Sequence, residues 1–319
     1  MKKDLTKIVE KFKDKRIAVI GDLMLDTFIF GDTDRISPEA PVPVVLVSHE
    51  IDVPGGAGNV ANNIISLGGN ACVFGLLGED IAGNKLFDYF QKNNIDISGI
   101  IKDKNRYTIQ KSRVISRSQH VVRIDREVNK HIENHIEKEL FNKLKDRIKE
   151  WDIIVIADYM KGLLTGNLIT NIINLARKFK KLTIADTKPK HAAFFKNIYL
   201  LTPNKKEAQE MSGVEHIKKS GRKIQKKLSC NVLITQGADG MTLFKSDKIL
   251  HIPSKAKEVY DVSGAGDTVS AVLALSLASG ATLEESSIIA NHAAGIVVGK
   301  TGTATLSKEE LINDLKNNK

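Results

Sequence analysis

Residues 261–268 read Asp-Val-Ser-Gly-Ala-Gly-Asp-Thr and lead directly into the apolar stretch 269–279, which predicts a buried helix. Positions 264–266 carry little or no side chain, so their backbone N–H groups can converge on one anion at the positive end of the helix dipole. A carboxylate in such a cradle repels a phosphate unless it takes up a proton. Asp267 is therefore our candidate general base. A capped glycine turn with Asp267 in the first helical turn is the alternative interpretation.

The rest of the chain alternates short β-rich runs with helical patterns, which is typical of an α/β fold with a mostly parallel sheet flanked by helices. The predicted strands cover residues 16–20, 71–76, 153–157, 182–185, 199–202 and 232–235. Since ligands gather at the carboxyl ends of parallel strands, the polar residues that follow these strands are expected to share one rim.

Two segments, 28–53 and 100–126, show alternating β-branched patterns with no helix between their strands. They predict a small antiparallel β lid that stands off the main sheet and excludes water from a phosphoryl donor. No repeat or Pro/Gly-rich boundary divides the sequence. We therefore expect residues 1–319 to form a single domain with the lid inserted.

Composition limits the classes of protein to which this chain can belong. The 319 residues carry a formal net charge of +10, but the lysines are scattered and aromatic residues make up only 5%, so nucleic-acid binding is not expected. Cys72 and Cys230 are isolated, which argues against a disulfide framework or structural zinc. The charged N-terminus lacks a signal-peptide core, and no stretch predicts a membrane span. We expect a cytoplasmic protein.

A second glycine-rich turn, residues 54–63, opens another helix, and its Gly55, Gly56 and Asn59 suit close approach to a polyhydroxylated ligand. Upstream, Asp22 and Asp26 follow the first strand and offer paired carboxylates for sugar hydroxyls. Each feature has a structural alternative: a plain turn for the glycines, and a cap or a solvated loop for the aspartates. The sequence contains neither GxGxxG after the first strand nor a Walker A pattern, which disfavours dinucleotide oxidoreductases and P-loop NTPases.

Asn204 and Glu207 have the spacing of a helix N-cap and its N3 partner, which favours a capping box. The same spacing also suits a magnesium ion held through water beside nucleotide phosphates. Thr235, Gly237 and Gly240 form a strand-end glycine turn that can pass under a nucleotide or simply connect a hairpin.

Taken in order, these motifs resemble the ribokinase or PfkB family of carbohydrate kinases over essentially the whole chain. The resemblance implies a ribokinase-like fold, ATP as donor, Mg²⁺ as cofactor, and K⁺ held by loops around Asp261 and residues 300–302. It makes Asp267 the catalytic base and Asp26 the sugar-binding aspartate. It also assigns backbone and nucleotide contacts. The implied anion hole is the backbone of Gly264, Ala265 and Gly266, and the implied ATP contacts are Asn204, Glu207, Thr235, Gly237, Gly240 and Asn291.

Within that family, residues 35–44, 113–117, 158–162 and 259–269 resemble the kinases of D-glycero-β-D-manno-heptose 7-phosphate. The implied reaction phosphorylates the anomeric hydroxyl to the 1,7-bisphosphate, a step toward a lipopolysaccharide precursor. Met24 stands where ribokinases often have asparagine, which argues against ribose. Because the sequence lacks an HxGH signature, we do not expect it to encode a linked adenylyltransferase.

A phosphorylated sugar needs cationic partners at the far end of its pocket. The candidates, each of which could instead be a solvated surface charge, are Arg113, Arg117, Lys161 and Lys188. A PfkB kinase for fructose, fructose 6-phosphate or a nucleoside is the alternative enzyme, and a non-catalytic sugar- or nucleotide-binding regulator is the alternative from another class. An exposed lid edge suggests a homodimer.

Overall fold

Runs of aliphatic residues form the strands of two sheets in the computed structural model, which describes residues 4–317 except 118, 257 and 301. The strands are β1 (Arg16–Gly21), β2 (Leu23–Ile36), β3 (Pro43–Gly56), β4 (Asn70–Gly78), β5 (Asp96–Asp103), β6 (Ile109–Ser116), β7 (Gln119–Arg126), β8 (Ile153–Asp158), β9 (Leu182–Thr187), β10 (Leu200–Leu201), β11 (Asn231–Thr235), β12 (Met241–Lys245) and β13 (Lys248–Ile252). The helices are α1 (Thr6–Val9), α2 (Ala57–Ser66), α3 (Ile81–Lys92), α4 (Asn134–Asp146), α5 (Gly166–Lys178), α6 (Lys205–Ser212), α7 (Ile217–Leu228), α8 (Ala265–Ala278), α9 (Leu283–Val297) and α10 (Lys308–Asn317). Short 3₁₀ turns cover Phe12–Asp14, Ile148–Glu150, Pro189–Phe195 and Gly237–Asp239.

The main sheet has the strand order β13-β12-β11-β10-β9-β8-β1-β4-β5. Pairing is parallel from β11 to β5, and β12 and β13 add two antiparallel strands at one edge. Strands such as β1, β4 and β8 are buried along almost their whole length, as expected when helices cover both faces. The predicted α/β fold is confirmed, although the strand predicted at 199–202 shortens to Leu200–Leu201.

Helices cover the two faces of this sheet and form two separate hydrophobic cores. One core lies against α1, α2, α3, α8, α9 and α10, and the other lies against α4, α5, α6 and α7. All eleven residues from Asp267 to Leu277 of α8 are buried, because α8 packs between the sheet, α2 and α9. This explains why its sequence is apolar on every side. Among the described residues, no helix combines the length and apolarity that crossing a bilayer requires.

The second sheet has the order β3-β2-β6-β7 and forms the lid. Its two hairpins are antiparallel, as predicted, but β2 and β6 join them in parallel. The predicted lid segment 100–126 was partly wrong, because residues 100–103 belong to β5 at the edge of the main sheet. Ile100 and Ile101 are consecutive and both buried, which fits a strand covered on two faces better than the alternating pattern of a lid.

Asp22 fixes the loops at the carboxyl edge of the main sheet. It follows β1 and is 3% exposed. Its Oδ2 accepts the N–H groups of Tyr159 and Lys161, both at 3.1 Å, and its Oδ1 accepts the N–H of Leu163 at 3.3 Å. Burial raises the pKa of Asp22 to about 6, although the N–H donors partly oppose it. Asp22 thus connects the loop after β8 to the loop after β1. Its contact with a sugar stays a prediction.

Asp22→Ala leaves three backbone N–H groups without their acceptor in a largely buried loop. Since each buried unsatisfied donor costs about 1–3 kcal/mol, we expect a loss of about 3–5 kcal/mol in the free energy of unfolding, measured by urea titration. Asp152→Ala is the matched control, because exposed Asp152 also accepts a backbone N–H, that of Arg16 at 2.8 Å. Water can replace that acceptor, so the control should lose far less. Equal losses would contradict the argument from burial.

Candidate active site

Asp267 lies in the first turn of α8 and is 6% exposed. Each of its carboxylate oxygens accepts one hydrogen bond from a distant part of the chain. The Asn59 amide donates to Oδ2 at 2.8 Å, and the Tyr159 hydroxyl donates to Oδ1 at 2.5 Å. Asn59 is itself fully buried in α2, so the second glycine turn and the GAGD turn meet at this carboxylate.

The turn before α8 carries the backbone N–H groups of the predicted anion hole, and their role toward an anion stays a prediction. Gly264 has φ +79°, a left-handed conformation that favours glycine, and a Cβ there would lie 2.7 Å from the Asn59 amide nitrogen. Within the described residues, the N–H groups of Gly266 and Asp267 donate to no backbone oxygen, whereas the Ala265 N–H reaches Val262 O at 3.3 Å. Two N–H groups at the helix N-terminus therefore remain available to an anion.

The second glycine turn packs closely against the loop after β1. A Cβ on Gly55 would lie 2.5 Å from Asp26 Oδ2, and one on Gly56 would lie 2.5 Å from the Asp22 carbonyl oxygen. Gly56 also has φ +56°. Both glycines are thus required for the close approach of β3 to β2 at the point where α2 begins.

Asp26 is 4% exposed and forms an ion pair with Arg113 of the lid, with Nη1 at 2.9 Å from Oδ1. Burial raises the pKa of Asp26, and the Arg113 guanidinium opposes that shift. Arg117, in contrast, lies in the turn between β6 and β7, has a 71% exposed side chain and contacts Asp34 at 3.3 Å. The structure therefore places Arg113 beside Asp26, the predicted sugar-binding aspartate, whereas Arg117 lies apart from the candidate site.

Both predicted lysines point toward acidic partners. Lys161 Nζ lies 2.7 Å from Glu127 Oε2 at the end of the lid, and Lys188 Nζ lies 2.6 Å from Glu207 Oε1. Burial lowers the pKa of Lys188, but Asp186 and Glu207 outweigh it and leave the pKa above its ordinary value. Each ammonium group is held at the carboxyl edge of the sheet rather than free in solvent.

Asn204 and Glu207 form a capping box at the start of α6. The Glu207 N–H donates to Asn204 Oδ1 at 2.9 Å, and the Asn204 N–H donates to Glu207 Oε2 at 3.0 Å. The capping interpretation is therefore correct for the local structure. The magnesium role of the same pair stays a prediction.

Thr235 ends β11 and bridges to Asn204, so the predicted nucleotide turn lies beside the capping box. Gly237 and Gly240 have φ +58° and +81°, and a Cβ on Gly240 would lie 2.1 Å from the Ile252 carbonyl oxygen. This turn connects the antiparallel strands β11 and β12, as the hairpin interpretation predicts. Its contact with a nucleotide stays a prediction.

Asn291 and Asp261 stabilise loops near the start of α8. Asn291 lies in α9, is 4% exposed and donates to the Pro253 carbonyl at 2.8 Å. Asp261 accepts the N–H groups of Ser263 at 2.8 Å and Gly302 at 3.1 Å. The two loops predicted to hold potassium thus meet at Asp261, while Thr301, which belongs to that prediction, lies outside the described residues.

Several carboxylates share this edge, and burial together with their mutual repulsion raises their pKa values. Burial raises the pKa of Asp267 to about 6, while hydrogen bonds from Tyr159 and Asn59 lower it and Asp26 raises it. Burial and then Glu207 raise the pKa of Asp186 to about 7. The site therefore concentrates negative charge that a bound cation would offset.

Sequence reasoning missed two residues of this group. Asp186, at the end of the strand predicted at 182–185, was only one of the polar residues expected at the shared rim, and Tyr159 was given no role. Asp186 Oδ2 lies 3.6 Å from the point where a Cβ of Gly266 would be. Both residues lie at or just after strand ends, and that position was the available signal. The assembled group can take a proton from a bound hydroxyl, bind an anion at a helix N-terminus and neutralise it with cations.

Comparison with protein families gives a match along most of the chain. Residues 14–310 match the model of the pfkB family of carbohydrate kinases. The Bifunctional protein HldE of Geobacter sulfurreducens is 41% identical over 304 residues, covering 93% of this chain and 62% of that protein. Its counterpart in Aliarcobacter butzleri is 42% identical over 306 residues, covering 94% of this chain and 64% of that protein. The chain thus spans less than two thirds of the length of these relatives.

Solved structures share the fold. Phosphofructokinase-2 from Escherichia coli in complex with substrates and products superposes with a TM-score of 0.79 and 21% identity, covering 95% of this chain and 99% of that one. Arabidopsis thaliana ribokinase complexed with ribose and ATP gives a TM-score of 0.73 with 19% identity, covering 95% and 98%. At these identities the likeness establishes a ribokinase-like fold.

The raised pKa of Asp267 predicts a pH-dependent cost to stability. The stabilising contribution of this group is fully present below its ordinary pKa of 3.8 and is lost as pH rises through about 6, because the folded state binds the proton more tightly. Asp267→Asn has no charge to bury. Its free energy of unfolding should rise relative to wild type by about 2–3 kcal/mol between pH 4 and pH 7 in urea titrations.

The control for this prediction is Asp88→Asn, which changes an exposed aspartate of α3. The difference in the free energy of unfolding between Asp88→Asn and wild type should stay constant across the same pH range. An Asp267→Asn curve that runs parallel to the wild-type curve would show that this carboxylate is not destabilised by burial.

Proposed function

The chain belongs to the pfkB family of carbohydrate kinases, and from that premise we propose that it transfers the γ-phosphoryl group of ATP to the anomeric hydroxyl of D-glycero-β-D-manno-heptose 7-phosphate. The products are the 1,7-bisphosphate and ADP. The sugar is suggested by residues 35–44, 113–117 and 158–162, which resemble heptose 7-phosphate kinases.

The observation that carries the proposal is the position of Asp267, a buried carboxylate between two glycine turns and beside two N–H groups that donate to no backbone oxygen of the described residues. In the proposed reaction Asp267 takes the proton of the anomeric hydroxyl. The sugar oxygen forms a bond to the γ-phosphorus as the bond from that phosphorus to the β-bridging oxygen breaks, and the electron pair leaves with ADP. The N–H groups of Gly266 and Asp267 stabilise charge on the transferred group.

The 7-phosphate is proposed to meet the cations that face the pocket from the lid and from the main sheet. Lys161 and Arg113 are the first candidates, because both side chains lie in partly buried positions and already pair with carboxylates. A phosphate can replace Glu127 as the partner of Lys161 without leaving the ammonium unpaired. Lys188 lies nearer Asp186 and Glu207, and we assign it to the transferred phosphoryl group.

Mg²⁺ is proposed to be held through water by Asn204 and Glu207. Both oxygens of Glu207 already accept hydrogen bonds, from Lys188 and from the Asn204 N–H, so direct coordination would break existing contacts. Over the described ranges, no group of three or more His, Cys, Asp or Glu is arranged to hold a metal. Hydrated Mg²⁺ fits such a site because it keeps several waters and would offset the charge that raises the pKa of Asp186. When bound, it neutralises the donor phosphates.

The nucleotide is proposed to lie along Thr235, Gly237 and Gly240, with Asn291 fixing the neighbouring loop. We also propose that K⁺ binds where the loop of Asp261 meets the loop of Gly302. Support for this comes from the hydrogen bonds of the Asp261 carboxylate, which join these loops beside the start of α8.

A homodimer through the lid is proposed from its exposed apolar side chains. They include Val47 at 55%, Val122 at 48% and Ile124 at 57% exposure. Apolar side chains at this density on one small sheet are typical of a surface that another chain covers.

Asp267→Asn should lower kcat with heptose 7-phosphate by about 10²–10⁴-fold, because the amide cannot accept the proton. Nucleotide affinity, measured by fluorescence or calorimetric titration, should change little. Asp88→Asn is the matched control and should keep wild-type kinetics. Near-normal turnover by Asp267→Asn would remove it as the general base.

The acceptor is tested by measuring ATP turnover with heptose 7-phosphate, unphosphorylated heptose, fructose 6-phosphate and ribose. We expect heptose 7-phosphate to have the highest kcat/KM. Preference for fructose 6-phosphate would support another PfkB sugar-phosphate kinase, and no turnover with any acceptor would favour a binding protein.

Lys161→Ala should raise the KM for heptose 7-phosphate about tenfold or more while leaving the KM for ATP and for unphosphorylated heptose nearly unchanged. Lys104→Ala, at an exposed position, is the matched control. Equal small changes in all three constants would show that Lys161 does not bind the 7-phosphate.

A further inference from the structure

We propose that Tyr159 is a positioning residue for the general base: its phenol, together with the Asn59 amide, orients the Asp267 carboxylate and keeps it ready to take a proton. This inference rests on the proposed function, because it assigns a role toward Asp267 as the base.

Tyr159 is placed by the loop that follows β8. Its backbone N–H donates to the buried Asp22 carboxylate at 3.1 Å, which fixes where the side chain starts. The side chain reaches α8, where its hydroxyl donates to Asp267 Oδ1 at 2.5 Å. Lys188 Nζ lies 5.6 Å from the centre of the Tyr159 ring and covers it from the side of β9. Tyr159 is thus held by a hydrogen bond at its backbone and by another at its hydroxyl group.

The two donors to Asp267 act on different oxygens. Tyr159 binds Oδ1 and Asn59 binds Oδ2, so the plane of the carboxylate is fixed from two directions. An ionised carboxylate has about four acceptor sites, so a sugar hydroxyl can still bind to either oxygen. Burial and the neighbouring Asp267 hold the pKa of Tyr159 well above its ordinary value, so the phenol stays protonated and remains the donor.

Charged groups from three other elements face Asp267. Asp26 from β2 and Asp186 from β9 disfavour its ionised form, while Lys188, just after β9, favours it. Against this background the hydrogen bonds of Tyr159 and Asn59 lower the pKa of Asp267. Removing the phenol hydroxyl of Tyr159 removes one of these two hydrogen bonds, so the pKa of Asp267 should rise. A base with a higher pKa is protonated over more of the acidic range, and the acid limb of the pH–rate profile should move to higher pH.

Tyr159→Phe removes the hydroxyl and keeps the ring. We expect the acid limb of kcat/KM for heptose 7-phosphate to move up by about one pH unit, with a loss of about fivefold at pH 6 and a much smaller loss at pH 8.5. The KM for ATP should not change. Tyr89→Phe is the matched control, because the Tyr89 hydroxyl donates to Asn62 Oδ1 in α2 at 3.1 Å and does not touch Asp267. Its profile should coincide with wild type.

A second measurement does not depend on turnover. Carbonyl-¹³C labelling of the aspartate side chains gives an NMR titration in which the resonance absent from Asp267→Asn is that of Asp267. Its midpoint should be higher in Tyr159→Phe than in wild type or Tyr89→Phe. An unchanged midpoint, or a pH profile lowered evenly at every pH, would overturn the inference. If Asp267→Asn keeps wild-type turnover, the proposed base is wrong, whereas the titration still decides whether Tyr159 controls this carboxylate.

Discussion

The structure of this site depends on one constraint: a carboxylate must stay ionised while it is nearly excluded from water. Asp267 achieves this through an amide from α2, a phenol from the loop after β8 and the N-terminus of α8. Each donor comes from an element that is itself fixed by other buried polar contacts. Asn63 accepts from Thr268 at 2.9 Å and so joins α2 to α8, while Asp22 holds the Tyr159 loop. The position of the proposed base therefore depends on how these three distant segments pack.

The charged groups of the candidate site pair with one another. Asp26 pairs with Arg113, Lys161 with Glu127, and Lys188 with Glu207. Isolated charges in partly buried positions would be costly, so each pair offsets part of the cost of burying its two members. Under the proposed function, a sugar phosphate and a nucleotide would bind by exchanging partners with these groups. One of the three pairs, Lys161 with Glu127, joins the main body to the end of the lid, whereas Asp26 and Arg113 both belong to the lid sheet.

The carboxylates that cluster at the sheet edge lower the stability of the fold but suit a phosphoryl-transfer reaction. Burial and mutual repulsion raise the pKa values of Asp22, Asp186 and Asp267 together, and a protein selected for stability alone would separate these groups. In a phosphoryl-transfer site the same charge attracts the metal that accompanies the nucleotide, and a base with a pKa close to neutral accepts a proton efficiently.

The sequence by itself determined the alternation of strands and helices, six strands of the main sheet, the two glycine turns and the capping box, because these depend on neighbouring residues and on local backbone freedom. It also indicated the family. Only the tertiary structure decided that Asn59 meets Asp267 across 208 positions, that Tyr159 donates to the same carboxylate, and that Arg117 stays outside the group. It likewise assigned residues 100–103 to the main sheet rather than the lid. Such pairings depend on how whole elements pack against each other, and the residue types at either end do not encode that geometry locally.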